Sequence, residues 1–351
     1  MSGDDDRAAS AVPGNAGGPG KSPTIYDVAR LAGVSHQTVS RHLRGLDGIR
    51  PATRERVTRA LETLDYRPNL TARNLATRRS HRVGALTHEI GQVGPSKILQ
   101  GASAGAREAG YLLDIVSLDV EDPAAVQQAV NLITQQDIAG LLVFTSTDAM
   151  TEVLRTASIR VPTVIDIEDD ERLLDPLMIP SDRGLGTVVD HLVSLGHRRF
   201  FHLAGPQGWV SARNRELSYE RALHAHALTS LGTSYGDWSA GSGYECARRI
   251  PRELGVTAVV VSNDQMALGA LLALERLGIR VPQDMSVTGF DDTPESAFYH
   301  PPLTTVEADF DRTGRAAFQR LQSLIEGGSA QRRTDSPVRL VVRESSGPAP
   351  A

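Results

Sequence analysis

Apolar residues fall at helical spacing near the start of the chain and in short runs beyond residue 83, and this change of period divides the sequence. Ile25, Val28, Ala29 and Ala32 give a first segment one apolar face. Gly33 can take the left-handed conformation that ends a helix. Ser35 is then placed to cap a second helix over 36–43, with Val39 and Leu43 inward. A third helix is predicted over 50–64, where Pro51 suits the first turn and Val57, Leu61 and Leu64 form the buried stripe. Residues 1–22, rich in Gly, Pro, Ser and Asp, are expected to be disordered. Pro68 interrupts the pattern, and Asn69 can cap a segment over 70–77 that is too short to hold a helix alone in water.

Beyond this point strands are predicted over 83–86, 112–117, 140–144, 163–165, 200–204, 258–261, 286–290 and 338–342. Between them, helices are predicted after Pro95, Pro123 and Asp148, and over 183–195, 211–231, 244–252 and 264–277. Strands alternating with helices of this length indicate parallel sheets covered on both faces. The fold class is therefore a small all-α helix-turn-helix head followed by an α/β core of two doubly wound lobes. The expected boundaries are a tail over 1–22, a head over 23–68, a hinge over 69–80, a core over 81–345 and a second tail over 346–351. Lobe 1 takes about 81–180 plus 309–337, and lobe 2 about 181–308 plus 338–345.

The outward positions of the second helix are His36, Gln37, Ser40, Arg41 and Arg44. All can donate hydrogen bonds, and such a face on a helix-turn-helix suits the major groove of DNA. The net charge of −5 argues against nucleic acid until its distribution is considered. Residues 21–80 hold 12 Lys/Arg against 5 Asp/Glu and residues 1–20 carry −2, which leaves −10 on 81–351. A basic head on an acidic body suits a polyanion at one end and a different partner at the other. Cys246 is the only cysteine, so no intrachain disulfide and no cysteine cluster for zinc can form. No secretory signal and no membrane-length apolar stretch is read, so a cytoplasmic protein at the nucleoid is expected, with no membrane partner.

The segments YDVARLAGVSHQTVSR, YRPN, HLVSLGH, LAGPQGWVSAR, GDWSAGSG, SNDQMALGALLA and TGFDDTPESAFYHPPLTTVEADF resemble the lactose/galactose repressor family of bacterial transcription factors. The resemblance runs from about Thr24 to Arg343. It implies a homodimer whose heads grip a near-palindromic operator, and a core of the periplasmic-binding-protein type that holds a small effector. It assigns base reading to His36, Gln37 and Arg41, and phosphate contacts mostly to Thr24, Ser35, Thr38 and Asn69. Leu75 matches the hinge leucine that wedges into the minor groove, on a segment that also carries Arg73. His36 stands where the branch most resembled has tyrosine.

A sugar site needs carboxylates that accept from hydroxyls, Arg and Asn as donors, and an aromatic face for the C–H side of the ring. The resemblance places Asp166, Arg215, Asn263, Asp291, Trp238 and Phe310 in these roles, with Ser211 and Arg213 in support. Asn263 can also cap the helix that follows, and Trp238 can also be core. His88 and Gln92 make one wall more polar than in the branch most resembled, and Ala308 replaces a glutamine. The implied effector is a sugar, with a galactoside leading and another hexose or a disaccharide behind it. Arg and Asn are expected to keep the carboxylates ionised, which argues against glycosidase chemistry, so no enzyme, no cofactor and no metal site is predicted. A sugar-binding transport-type protein and a purine-responsive repressor of the same fold are the alternatives. The absence of a leucine-heptad tail predicts a dimer rather than a tetramer.

Overall fold

The computed structural model describes residues 23–43, 46–66, 80–88, 90–118, 123–144, 147–156, 159–166, 184–329 and 338–350, and the chain divides after residue 79 into two compact units. In the head, α1 (Ile25–Ala32), α2 (His36–Leu43) and α3 (Pro51–Thr63) form three short helices. Gly33 ends α1 in the left-handed conformation, at φ 63°, and Val34 donates back to Ala29. Val28, Val39 and Val57, one from each helix, are fully buried, and Ala29, Ala32 and Ala60 complete the centre. Each such valine contributes about 1.5–3 kcal/mol. The expected inward residues Ile25, Leu43, Leu61 and Leu64 pack around them.

The second unit contains two four-stranded parallel sheets of the same design. The first sheet is ordered β2-β1-β3-β4 and comprises β1 (Arg82–His88), β2 (Leu112–Leu118), β3 (Gly140–Phe144) and β4 (Thr163–Asp166). Its crossovers are α4 (Val93–Glu108), α5 (Pro123–Thr134) and α6 (Asp148–Thr156). After α7 (Gly186–Ser194), the second sheet is ordered β6-β5-β7-β8 and comprises β5 (Phe200–Ala204), β6 (Thr233–Tyr235), β7 (Ala258–Val261) and β8 (Ser286–Thr288). Its crossovers are α8 (Val210–Ala225), α9 (Ala240–Arg248) and α10 (Asp264–Arg276). The central strands β3, β5 and β7 are buried at every residue, which is why they read as continuous apolar runs. In each sheet the strand order reverses beside its first strand, and a crevice opens there at the carboxyl ends.

The chain then runs through β9 (Thr305–Ala308) and α11 (Phe310–Ile325) to β10 (Val338–Val341), which pairs antiparallel with β9. Ala317, Phe318 and Leu321 of α11 join Val83, Ala85, Leu142 and Val164 in the core of the first lobe. The crossing of α11 with α4 is tight: a Cβ at Gly101 or Gly314 would fall into the opposing backbone. The C-terminal end is tied to the second lobe, where Ala349 donates to the Leu195 carbonyl at 2.9 Å and His197 meets the Gly347 carbonyl at 3.0 Å.

Several elements differ from expectation. The helix expected over 211–231 ends at Ala225, because Ala227 at φ 56° turns the chain toward β6. The helix expected over 244–252 starts at Ala240, since Ser239 accepts the Ser242 N–H at 3.1 Å. The helix expected after Pro95 begins at Val93, with Pro95 inside its first turn, where no intrahelical donor is needed. The strand expected over 286–290 stops at Thr288. β6, β9 and α11 were not anticipated.

Candidate functional site

On the head, α2 carries the candidate reading face. Ser35 Oγ accepts the Thr38 N–H at 3.2 Å and pairs with the Thr38 hydroxyl at 2.9 Å. Both hydroxyls thus gather at a helix N-terminus, where backbone N–H groups favour an anion. At the start of α1 the Thr24 hydroxyl and N–H both donate to Asp27, at 2.6 and 2.9 Å. His36 and Gln37 are exposed on the first turn of α2, Ser40 is half-buried and Arg41 is exposed one turn on. Arg41 donates to the Asp47 carbonyl at 2.8 Å, which uses one of its five donors and leaves a fork for a base. Tyr26, 61% exposed, stands with its ring 5.2 Å from that of His36. It is an aromatic on this face that sequence reasoning overlooked. Asn69, Arg73 and Leu75, with Arg44, lie outside the described residues.

In the core a cleft opens where the two lobes meet. The first lobe lines it with His88 at the end of β1, Gln92 and the start of α4, Phe144 at the end of β3 and Phe310 at the start of α11. The second lobe contributes Trp209, Ser211 and Arg215 around the start of α8, Trp238 after β6, Asn263 after β7 and Asp291 after β8. Seven of the eight expected effector residues therefore converge from separate elements. Asp166 ends β4, and its side chain lies outside the described residues.

The second-lobe residues hold one another. Arg215 donates to the Ser262 carbonyl at 2.5 Å and to Asp291 Oδ1 at 3.2 Å, and its guanidinium lies 4.0 Å from the Phe290 ring centre. Burial pushes the Asp291 carboxyl up to about 7, against the pull of Arg215. This corrects the expectation that neighbouring donors keep it fully ionised, because the desolvation outweighs the combined pull of Arg215 and Lys97. Asn263 caps α10 by accepting the Met266 N–H at 2.9 Å, and its amide donates to the Trp238 carbonyl at 3.0 Å. Both ends of the side chain thus hold the fold, which leaves the second lone pair of its oxygen for a ligand hydroxyl. Asp264, which sequence reasoning did not single out, is fully buried. It accepts from the Thr293 N–H at 2.8 Å and from the hydroxyls of Ser296 and Thr305, both at 2.5 Å. Asp292 pairs with Arg343 at 2.7 Å, away from the cleft lining.

Trp238 belongs mainly to the second-lobe core: it is 5% exposed and lies against Gly205, where a Cβ would enter its ring. Its indole N–H is buried without a partner among the described residues. His88 is also buried, and its ring nitrogens find no partner of good hydrogen-bond geometry there. Burial holds the imidazole below its usual pKa, overriding a weak opposing pull from the Phe144 backbone. Orphaned polar groups are uncommon in protein interiors and need a partner that the cleft contents can supply. Trp238, Asp291 and Asp292 sit at φ 71°, 115° and 49°, and such backbone strain in non-glycine residues gathers at ligand sites.

The lobes also touch beside the cleft. Thr147 and Trp209 form an antiparallel bridge, and Asp148 N–H donates to the Gly208 carbonyl at 3.3 Å. Arg213 grips Asp148 with two bonds of 2.8 and 2.9 Å.

Residues 24–69 match the family described as bacterial regulatory proteins, lacI family, and residues 189–346 match a periplasmic binding protein-like domain. The chain is 34% identical over 328 residues to the lactose operon repressor of Escherichia coli (strain K12), covering 93% of this chain and 91% of that protein. The chain belongs to the lacI family of bacterial regulatory proteins. Among solved structures similar to this lacI-family chain is the lac repressor dimer bound to operator and the anti-inducer ONPF. It has a TM-score of 0.81 at 34% identity and spans 93% of this chain and 100% of that one. The transcriptional regulator CelR in complex with cellobiose has a TM-score of 0.64 at 30% identity, over 92% of this chain and 99% of that one. As a lacI-family member the protein is a DNA-binding transcriptional regulator, and its two-lobed core has the binding-protein fold anticipated from sequence. Among the described residues no helix is long and apolar enough to cross a membrane.

Proposed function

We propose that this lacI-family protein is a repressor that binds a near-palindromic operator as a homodimer and is released by a sugar, with a galactoside as the leading candidate. It acts in the cytoplasm on the chromosome and performs no catalysis. In this reading His36, Gln37 and Arg41 read base edges, while Thr24, Ser35, Thr38 and Asn69 hold phosphates and fix register, with Ser40 beside them on the same face. Arg73 and Leu75 belong to the hinge that enters the minor groove. Asp291, Arg215, Asp166 and Asn263 bind sugar hydroxyls, with His88, Ser211, Trp238 and Phe310 completing the site. The boundaries assigned to tail, head, hinge and lobes from the sequence are part of the same proposal.

The observation that carries the effector reading is the buried Arg215–Asp291 pair at 3.2 Å in a cleft that also holds an unpartnered indole N–H. A buried Arg–Asp pair beside an orphaned donor suits a ligand with many hydroxyls, each both donor and acceptor. Release requires the sugar to bind the two lobe arrangements differently; inverting a 1:99 balance takes about 10⁴-fold discrimination. The test is an operator-release titration by fluorescence anisotropy with a sugar panel. Wild-type protein should leave the operator, whereas Arg215→Ala should bind operator equally well and ignore the sugar. Normal release by that variant would falsify the assignment of the clamp.

A further inference from the structure

Trp209 was not among the residues expected to meet the effector, yet of the two tryptophans in the chain it is the one with open surface. Trp238 is committed to the core, with Gly205 against its ring and the Arg215 guanidinium 5.3 Å from its centre. Trp209 lines the same cleft, half-buried, with its ring centre 5.8 Å from that of Trp238 and 4.7 Å from that of His88. Arg215, Trp238, Trp209 and His88 thus form a contiguous series along the cleft wall, each packed against the next. The Trp209 and Trp238 planes are inclined by 69°, so one flat pyranose face cannot lie on both.

The two ends of the series differ in chemistry. Arg215 is charged and, together with Asp291, lies buried in the second lobe, where the pair offers both donors and acceptors to a ring rich in hydroxyls. The Trp209 end is uncharged and pairs an indole with the His88 imidazole, kept neutral by burial, and the Gln92 amide also lines the cleft. An indole surface beside neutral hydrogen-bonding groups suits a second ring, which offers a C–H face and a few further hydroxyls. The Trp209 backbone bridges to Thr147 of the other lobe, which places the indole at the seam of the cleft.

We infer that Trp209 is a specificity-determining residue that stacks on the second ring of a two-ring glycoside, and that the effector is a disaccharide rather than a free hexose. This rests on the sugar reading proposed above. The test is calorimetric titration of the full-length protein with galactose, glucose, lactose and cellobiose. At least one disaccharide should bind about tenfold tighter than its component hexoses, in line with the contribution of an added aromatic contact plus the area it buries. Trp209→Ala should erase that advantage while leaving hexose affinity within about twofold, and Trp209→Phe should keep most of it. Both tryptophans line the cleft, so disaccharide binding should also shift intrinsic fluorescence, and the Trp209→Phe variant should lose most of the shift. Hexoses binding as tightly as disaccharides, or Trp209→Ala weakening both equally, overturns the inference while leaving the sugar reading intact. If no sugar binds, the sugar reading falls and this inference with it.

Discussion

The reading face of α2 and the cleft of the core both present polar side chains, under opposite constraints. His36, Gln37 and Arg41 stand in solvent, where water satisfies any donor or acceptor that protein does not. Arg215, Asn263, Asp264 and Asp291 are largely withdrawn from water; Arg215 bonds Asp291, Asn263 bonds Trp238 and Met266, and Asp264 bonds Thr293, Ser296 and Thr305. On the surface a polar group is free for a ligand at no cost to the fold. In the cleft the same group first has to hold the protein together. Recognition is therefore separable from stability in the head and entangled with it in the core.

The largest expected effect tests that entanglement. Asp264→Ala strands the Thr293 N–H and two hydroxyls, and should destabilise the core by on the order of 3–5 kcal/mol. A thermal midpoint equal to wild type would show that the buried carboxylate does not hold the core together. The next effect concerns pH. Asp291 has its pKa raised to about 7 in the folded protein from an ordinary 3.8, so between those values the native state holds a proton that the unfolded chain has lost. Its contribution to stability is fully present below the lower value and is lost as pH rises through about 7, by a few kcal/mol at most. Urea midpoints measured at pH 4.5 and 7.5 should diverge more for wild type than for Asp291→Asn. Equal divergence would mean that the carboxyl is ionised throughout.

Smaller effects probe the surfaces. Gln37→Ala should lose about 1–3 kcal/mol of operator affinity with no change in thermal midpoint, measured by anisotropy and calorimetry on the same samples. A fall in midpoint would show that the reading face supports the head. The smallest effect is at the contact between the lobes. Asp148 is 65% exposed, so Asp148→Asn should cost under about 1 kcal/mol of stability and change sugar affinity only a few-fold. Identical sugar affinity would show that the Arg213 grip does nothing for the closed cleft.

The helices of the head and the central strands were legible because their signals are local. A stripe at helical spacing around Val28, Val39 and Val57 needs only that each helix bury one side, and runs such as Ala258–Val261 can only be buried on both faces. Elements at the margins were hidden. β6 is three residues of Thr, Ser and Tyr at a sheet edge, too short and polar to show a period. The cleft was partly legible: the family resemblance pointed to Arg215 and Asp291, and the structure brings them within 3.2 Å. It did not reveal Trp209, whose place depends on Thr147 in the other lobe. Nor could it decide between cap and ligand for Asn263, or foresee that burial raises Asp291, because both depend on neighbours far apart in the chain.

By itself, the sequence determined a basic helix-turn-helix head, two doubly wound lobes and the family to which they belong. These follow from periodicity, capping and charge distribution, all set within a few turns of chain. Only the tertiary structure decided which aromatic has open surface in the cleft, which polar groups are spent on the fold and which remain unpartnered there. Those properties arise from desolvation and from contacts between lobes, and neither exists until the two sheets face each other.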